Sequence, residues 1–241
     1  SLGFPTSTDL AIFHPVRKHP EASVLRTVED ICAFLENPAH YPCFGKPLDA
    51  SRSVGCVSMT DVSGGEISLA DGRVVPVAKL AGEIHDNFQH GYLFQKCVVQ
   101  DPRMTAITGQ TTSTLRIVTL RLKAGFECLY VVQKIAAKGA MFDGFAGKGS
   151  NAMCHVDPET GRILRAQMMD QMSLNSLKAS PHSGQALEGY VLPFVARAVS
   201  LCQDIHANLP YHGILGFDVF IIEEGPVFSE LGSLPIHNIF Q

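Results

Sequence analysis

Gly-Phe-Asp-Val-Phe-Ile-Ile-Glu-Glu-Gly-Pro-Val-Phe-Ser-Glu-Leu, residues 216–231, is the stretch on which the reading of this chain turns. Its residues are mostly β-branched or aromatic, and Glu224-Gly225-Pro226 supplies a turn, so it predicts two antiparallel strands. Paired across that turn, Asp218 and Glu230 point to the same face near one strand end. Two carboxylates among apolar neighbours cost too much to bury without a cation between them. A hard divalent metal such as magnesium suits such a pair, and it usually holds phosphate oxygens as well. Spacing alone equally describes a surface hairpin with two solvated acids, which is the commoner outcome.

Working outward, 241 residues accommodate one large domain or two small ones. An apolar share of 46% against 17% charged residues places the chain among globular proteins rather than disordered ones. The net charge of −4 is spread with mixed signs, and no Lys/Arg-rich run offers a nucleic-acid footprint. Apolar stretches are strand-sized, so no membrane insertion is expected. The start, Ser-Leu-Gly-Phe-Pro-Thr-Ser, has neither a basic region nor an apolar signal core, and a cytoplasmic location is expected. The chain opens without Met on a phrase that reads as mid-protein, which suggests an upstream segment. Seven dispersed cysteines, none in a Cys-x-x-Cys, read as free thiols of a reducing compartment. His40 with Cys43, and Cys154 with His155, lack a second pair at zinc spacing and read as ordinary packing or surface residues.

Val28–Leu35 carries helical spacing, ended by Asn37-Pro38, and Tyr41–Pro47 reads as a short strand. Asp71-Gly72 between two apolar runs signals a hairpin, and a helix follows over Leu80–Phe88. Strands then follow at 91–99 and 114–122, the latter paired with 127–135 across Lys123-Ala124-Gly125. Val191–Ile205 is the clearest helix, with Val195, Ala198, Val199, Cys202 and Ile205 on one stripe. The division predicted from this pattern is a small lobe over 1–90 and a larger, sheet-rich lobe over 91–241.

Among chemistry-bearing residues, Lys46 ends a strand before a Ser/Gly loop, where a lysine reaches a phosphate as a point charge. A surface lysine is the commoner fate. Arg116 interrupts an apolar strand, and Arg121, an odd number of residues away, should face the other side. Arg116, between Leu115 and Ile117, is the inward one. The loop Asp143–Asn151 lacks the Gly-x-x-x-x-Gly-Lys-Ser/Thr spacing of a phosphate loop, although Lys148 amid glycines suits an anion contact. Neither a Gly-x-Gly-x-x-Gly fingerprint nor a Gly-x-Ser-x-Gly elbow occurs. His182 and His212 fall in loops and read as hydrogen-bonding or surface residues rather than catalytic ones.

Taken in order, these phrases resemble the ATP-grasp superfamily, in its sugar-transfer-associated branch related to α-L-glutamate ligases. The phrases are Phe44-Gly45-Lys46-Pro47 with Ser53-Val54-Gly55, Tyr92–Lys96, Ser113–Leu120, Ser180-Pro181-His182-Ser183-Gly184, Gly189–Pro193, Gly216–Val219 and Glu230-Leu231-Gly232. Each phrase is weak alone, and the ordered set is fairly specific. The resemblance implies an α+β, two-lobed fold with a nucleotide cleft between the lobes. It implies ATP and magnesium as cofactors, with the metal held by Asp218 and Glu230. Lys46 and the Ser53 loop would meet phosphates, and Gln95, Lys96, Cys97 and Val98 would hold adenine mainly by backbone groups. Asp101 would reach the ribose, Arg116 would stabilise the transferred phosphoryl group, and Lys134 and Asp143 would contact substrate or phosphate.

Two departures stand out. The branch's terminal strand reads Glu-x-Asn, whereas Gly232 here has no ligating side chain, leaving Ser233 or Asn238 as substitutes. Gly144 stands where the branch tends to show Asn. The leading expectation is an ATP-dependent ligase that activates a carboxylate as an acyl phosphate for attack by an amine, with cell-surface glycan or small-molecule biosynthesis as the family context. Its partners would be small-molecule or peptide carboxylates and amines, with a homo-oligomer among the expected assemblies. A nucleotide-binding module without ligase activity and a phosphotransferase using the same cleft are the alternatives.

Overall fold

The computed structural model describes residues 3–19, 22–49, 53–144, 151–170, 173–233 and 235. These form two compact units. The smaller takes its described residues from Ser7–Cys97 and Gly139–Gly147, and the larger from Ser1–Thr6, Val98–Lys138 and Lys148–Gln241. The boundary expected at 90/91 therefore falls after Cys97. The reason is hydrogen bonding: the strand Tyr92–Lys96 lies inside the smaller unit's sheet, paired on both sides.

The smaller unit has seven strands: β1 (Asp9–Phe13), β2 (Ser23–Leu25), β3 (Cys43–Pro47), β4 (Val57–Ser63), β5 (Glu66–Leu69), β6 (Val74–Pro76) and β7 (Tyr92–Lys96). They are ordered β2-β1-β7-β3-β4-β5-β6. Helices α1 (Val28–Leu35) and α2 (Val77–Asn87) pack on each other. Thr27 starts α1 with a reciprocal cap: its hydroxyl accepts from the Asp30 amide while the Asp30 carboxylate accepts from the Thr27 amide. Ile31, Leu35, Ile84, Phe13, Tyr92 and Phe94 fill the core. Alternation along β3 and β7 sends Cys43, Gly45, Tyr92 and Phe94 into that core, which leaves Phe44, Lys46, Leu93 and Gln95 on the other face. Gly45 admits the Tyr92 ring, since a Cβ there would lie 2.7 Å from it.

The larger unit is a second seven-stranded sheet: β8 (Leu115–Leu122), β9 (Gly125–Ile135), β10 (Ala152–Val156), β11 (Ile163–Asp170), β12 (Ser173–Ser176), β13 (Ile214–Ile222) and β14 (Gly225–Gly232). All its pairings are antiparallel, in the order β12-β11-β10-β9-β8-β13-β14. Helices α3 (Pro102–Thr108) and α4 (Val195–Ala207) cover one face, over a core that includes Ile117, Val131, Ile135, Phe217 and Val219. The stripe expected on α4 is buried as drawn, but the helix begins at Val195 rather than Val191. Pro193 disfavours helical backbone in the residue before it, and Phe194 enters with φ +57°.

The hairpin of residues 216–231 forms with a different turn. Ile222 pairs with Gly225, so Glu223-Glu224 is the two-residue connection, and Gly225 and Pro226 already belong to β14. Proline is tolerated there because β14 is an edge strand, where its missing donor is not needed by a further neighbour. Among the described residues no helix is long and apolar enough to cross a membrane. Cys43 and Cys154 are buried thiols, each pushed up to about 12 by burial.

Candidate functional site

The face of the larger sheet opposite α3 and α4 carries the charged residues. Pleating decides this. Leu115, Ile117, Phe217 and Val219 point into the helix-covered core, so Arg116 and Asp218 between them point the other way. Arg116 and Asp218 are direct cross-strand partners, and Arg116 lies opposite Val132 on the next strand. Lys134, two residues along β9 from Val132, shares their face.

The three side chains meet. Arg116 Nε donates to Asp218 Oδ1 at 2.7 Å and Nη2 to Oδ2 at 3.0 Å, a two-pronged grip. Lys134 Nζ lies 3.2 Å from Oδ2. The side chains of Lys134 and Asp218 are each only 7% exposed, so this is an interior charge cluster in which two cations share one buried carboxylate. Burial alone pushes the Asp218 carboxyl up; the charges of Lys134 and Arg116 and their hydrogen bonds outweigh it and hold the group below the usual carboxylate range. Arg121 is exposed and donates to the Pro210 carbonyl, so the two arginines take the opposite roles read from their spacing.

Glu230 joins this face through an irregularity. Val219 pairs with Phe228, but Asp218 pairs with Glu230, which leaves Ser229 as the extra residue of a β-bulge. The bulge sets Glu230, which is exposed, opposite the buried Asp218. Gly232 follows two residues later on the same strand, opposite Gly216, and a Cβ at Gly232 would meet open space. At Gly216 a Cβ would lie 2.8 Å from Pro235, so glycine there makes room for that proline, while the Arg116 guanidinium would be met only at an ordinary 3.7 Å. Sequence reasoning reaches neither the bulge nor the need for Gly216; a glycine interrupting an apolar strand is the one available signal.

These residues fit a magnesium–phosphate group. Among the described residues, no three His, Cys, Asp or Glu side chains converge as a metal cage. Magnesium is usually bound by one or two carboxylates with substrate phosphates completing the shell, and Asp218 with Glu230 is such a donor set. An ionised carboxylate offers about four acceptor positions, so Asp218 retains capacity beyond its contacts to Arg116 and Lys134.

The other residues singled out from the sequence fall in separate places. Lys46 and Gln95 lie on the less buried face of the smaller sheet, where Gln95 Nε2 donates to Asp9 Oδ1 at 2.7 Å. The amides of Lys96 and Cys97 donate to the carbonyls of Thr8 and Pro42, which narrows the backbone that β7 can offer a ligand. Val98 lies beyond that strand. Ser53 has φ +59°, and a Cβ on Gly144 would lie 2.1 Å from its Oγ, so those two residues approach closely. Asp101 is engaged structurally. It caps α3, accepting from the Arg103 amide at 2.8 Å and from the Arg103 guanidinium at 2.9 and 2.7 Å. Ser233 is exposed just past β14, and Asp143 lies in the smaller unit. Lys148 and Asn238 lie outside the described residues.

A model of the sugar-transfer associated ATP-grasp family matches residues 78–241, more than half of the chain. No curated protein matches. Among solved structures, D-alanyl-alanine synthetase A from Vibrio cholerae is 13% identical, covering 97% of this chain and 52% of its own, with a TM-score of 0.47. An L-amino acid ligase from Bacillus licheniformis is 13% identical over 96% of this chain and 37% of its own, with a TM-score of 0.44. N5-carboxyaminoimidazole ribonucleotide synthetase from Thermus thermophilus gives 13%, 98%, 42% and 0.43 for the same quantities. The chain thus spans about half or less of the length of these structures. ATP-grasp proteins use ATP with magnesium. The match over residues 78–241 places this chain in the sugar-transfer associated ATP-grasp family.

Proposed function

We propose that the chain binds magnesium–ATP on the charged face of the larger sheet and uses it to activate a carboxylate for attack by an amine. The observation that carries this reading is the buried Asp218, gripped by Arg116 and Lys134 with Glu230 opposite. Asp218 and Glu230 would hold the metal, which when bound supplies charge neutralisation at the phosphate oxygens. Arg116 and Lys134 would donate to oxygens that gain charge as the phosphoryl group transfers, already oriented by Asp218 before substrate arrives. The carboxylate would leave this step as an acyl phosphate, and the amine would displace phosphate from it. No protein nucleophile is needed, so the protein's share is positioning and electrostatics. In the smaller unit, Lys46 and the Ser53 turn are proposed as phosphate contacts, and the segment from Gln95 through Lys96 and Cys97 to Val98 as an adenine contact. Asp101, which also caps α3 through Arg103, is proposed as a ribose contact.

The proposed substrates are small-molecule or peptide carboxylates and amines, and the sugar-transfer association of the family supports a glycan-related role. A second reading, nucleotide binding without ligation, is favoured by one observation: Gly232 offers no side chain where the family resemblance places a third ligand. Incubation with ATP, magnesium and a panel of carboxylates and amines separates the two. ADP and phosphate release coupled to amide formation supports the ligase. ADP formed with a phosphorylated product and no amide points to phosphotransfer. Tight binding without turnover leaves the binding module.

A further inference from the structure

Lys134 stands one residue from the end of β9, and its peptide is held from both sides. Its amide donates to the Thr114 carbonyl at 3.2 Å, and its carbonyl accepts from Gln133 Nε2 at 2.6 Å. Gln133 is fully buried, and its side-chain oxygen has no hydrogen-bond partner among the described residues. Such an unmet acceptor is unfavourable, so the carboxamide is not there for packing alone. It keeps its donor on the lysine's carbonyl.

Two residues further, the Ala136 carbonyl lies 2.8 Å from His182 Nε2. A carbonyl oxygen only accepts, so Nε2 carries the proton. His182 belongs to the turn Ser180–Gly184, which is anchored on the last turn of α3. Ser180 Oγ donates to the Ile107 carbonyl at 2.7 Å and Ser183 Oγ to the Ala106 carbonyl at 2.5 Å. The imidazole is wedged against Gly109, whose φ is +72° and where a Cβ would lie 2.6 Å from Nδ1. The turn is therefore built around α3 and directs one donor to the end of β9.

We propose that His182 is a positioning residue for Lys134, its Nε2–H fixing the end of β9 so that the ammonium group stays on Asp218. The proposal deepens the site described above, and the use of Lys134 in turnover rests on that reading. The hydroxyls of the same turn serve α3 instead, which singles out the histidine as the member that reaches the charged face through the strand.

The test compares His182→Gln, which retains a donor at similar reach, with His182→Leu, which retains bulk without one. Lysine acylation by an N-hydroxysuccinimide ester is read by mass spectrometry on the ligand-free full chain, with exposed Lys79 and Lys123 as internal references. Lys134 should stay protected in wild type and in His182→Gln. In His182→Leu its labelling should rise about threefold to tenfold, the factor corresponding to one lost hydrogen bond. Protection retained in both variants would overturn the proposal. Equal loss in both, or a rise at Lys79 and Lys123 as large as that at Lys134, would also count against a local donor role. Loss of Lys134 protection with unchanged ATP turnover would keep the positioning and overturn the catalytic reading of Lys134.

Discussion

Replacing Asp218 by Asn should destabilise the larger unit far more than replacing Lys134 by Met, although both remove a contact of the same cluster. Asp218→Asn leaves two cations facing each other, with the Lys134 side chain 7% and the Arg116 side chain 21% exposed. Breaking a buried pair by removing its anion costs about 3–5 kcal/mol, because both cations lose the carboxylate that they share. Lys134→Met leaves a neutral Arg116–Asp218 pair and loses one charge-assisted contact, about 1.5–3 kcal/mol. In the double variant the ammonium that shared this carboxylate with Arg116 is gone as well, so the two costs should fall short of their sum by about 2 kcal/mol or more. Urea unfolding of the full chain, followed by amide exchange on β8 and β13, reads the larger unit separately. Additive costs within about 0.5 kcal/mol would refute the coupled cluster.

Gly232→Asn tests the incomplete ligand set in the opposite direction. With open space around a Cβ there, the variant should fold normally and tighten magnesium in the nucleotide complex by roughly tenfold, about the value of one added oxygen contact to a charge. Unchanged affinity in a calorimetric titration would count against that strand as a metal strand. Asp101→Asn tests the α3 cap by pH. Hydrogen bonds from Arg103 hold the Asp101 carboxyl below its usual range against the opposing push of burial. Its charge therefore contributes stability above the ordinary carboxylate pKa, and that contribution is lost as pH falls through the lowered value. Thermal unfolding should show wild type ahead of the variant at neutral pH and the gap closing below about pH 4. A gap independent of pH would show that the charge contributes nothing.

Much of the fold is legible in the sequence because its signals are local. Asp71-Gly72 marks a hairpin that forms, the β8–β9 pair closes across Lys123-Ala124, and the α4 stripe is buried as its spacing requires. What escapes depends on long-range pairing. β7 carries the hydrophobic pattern of either unit, and its neighbours β1 and β3 decide where it belongs. The hairpin turn differs because Glu224-Gly225-Pro226 reads as a turn by composition, while the register of β13 and β14 selects Glu223-Glu224.

The site is legible to a similar extent. The opposite orientation of Arg116 and Arg121 follows from strand parity, and the shared face of Asp218 and Glu230 matches the structure. The route to that shared face, an extra residue at Ser229, has no sequence signature. By sequence the acids read as a pair awaiting a metal. In the structure Asp218 is first a partner of Arg116 and Lys134, joined across 102 residues in one case, which no local pattern encodes. Asp101 illustrates the reverse: an acid before Pro102 is a local N-cap signal, and the structure forms that cap.

The most direct measurement is magnesium-dependent ATP binding by the full chain, titrated calorimetrically for wild type, Asp218→Asn and Glu230→Gln. Both variants should weaken binding in magnesium, Asp218→Asn the more strongly, while binding of ATP in the presence of a chelator changes much less. Equal affinities in all three proteins at every magnesium concentration would contradict the assignment of this face as the metal–nucleotide site.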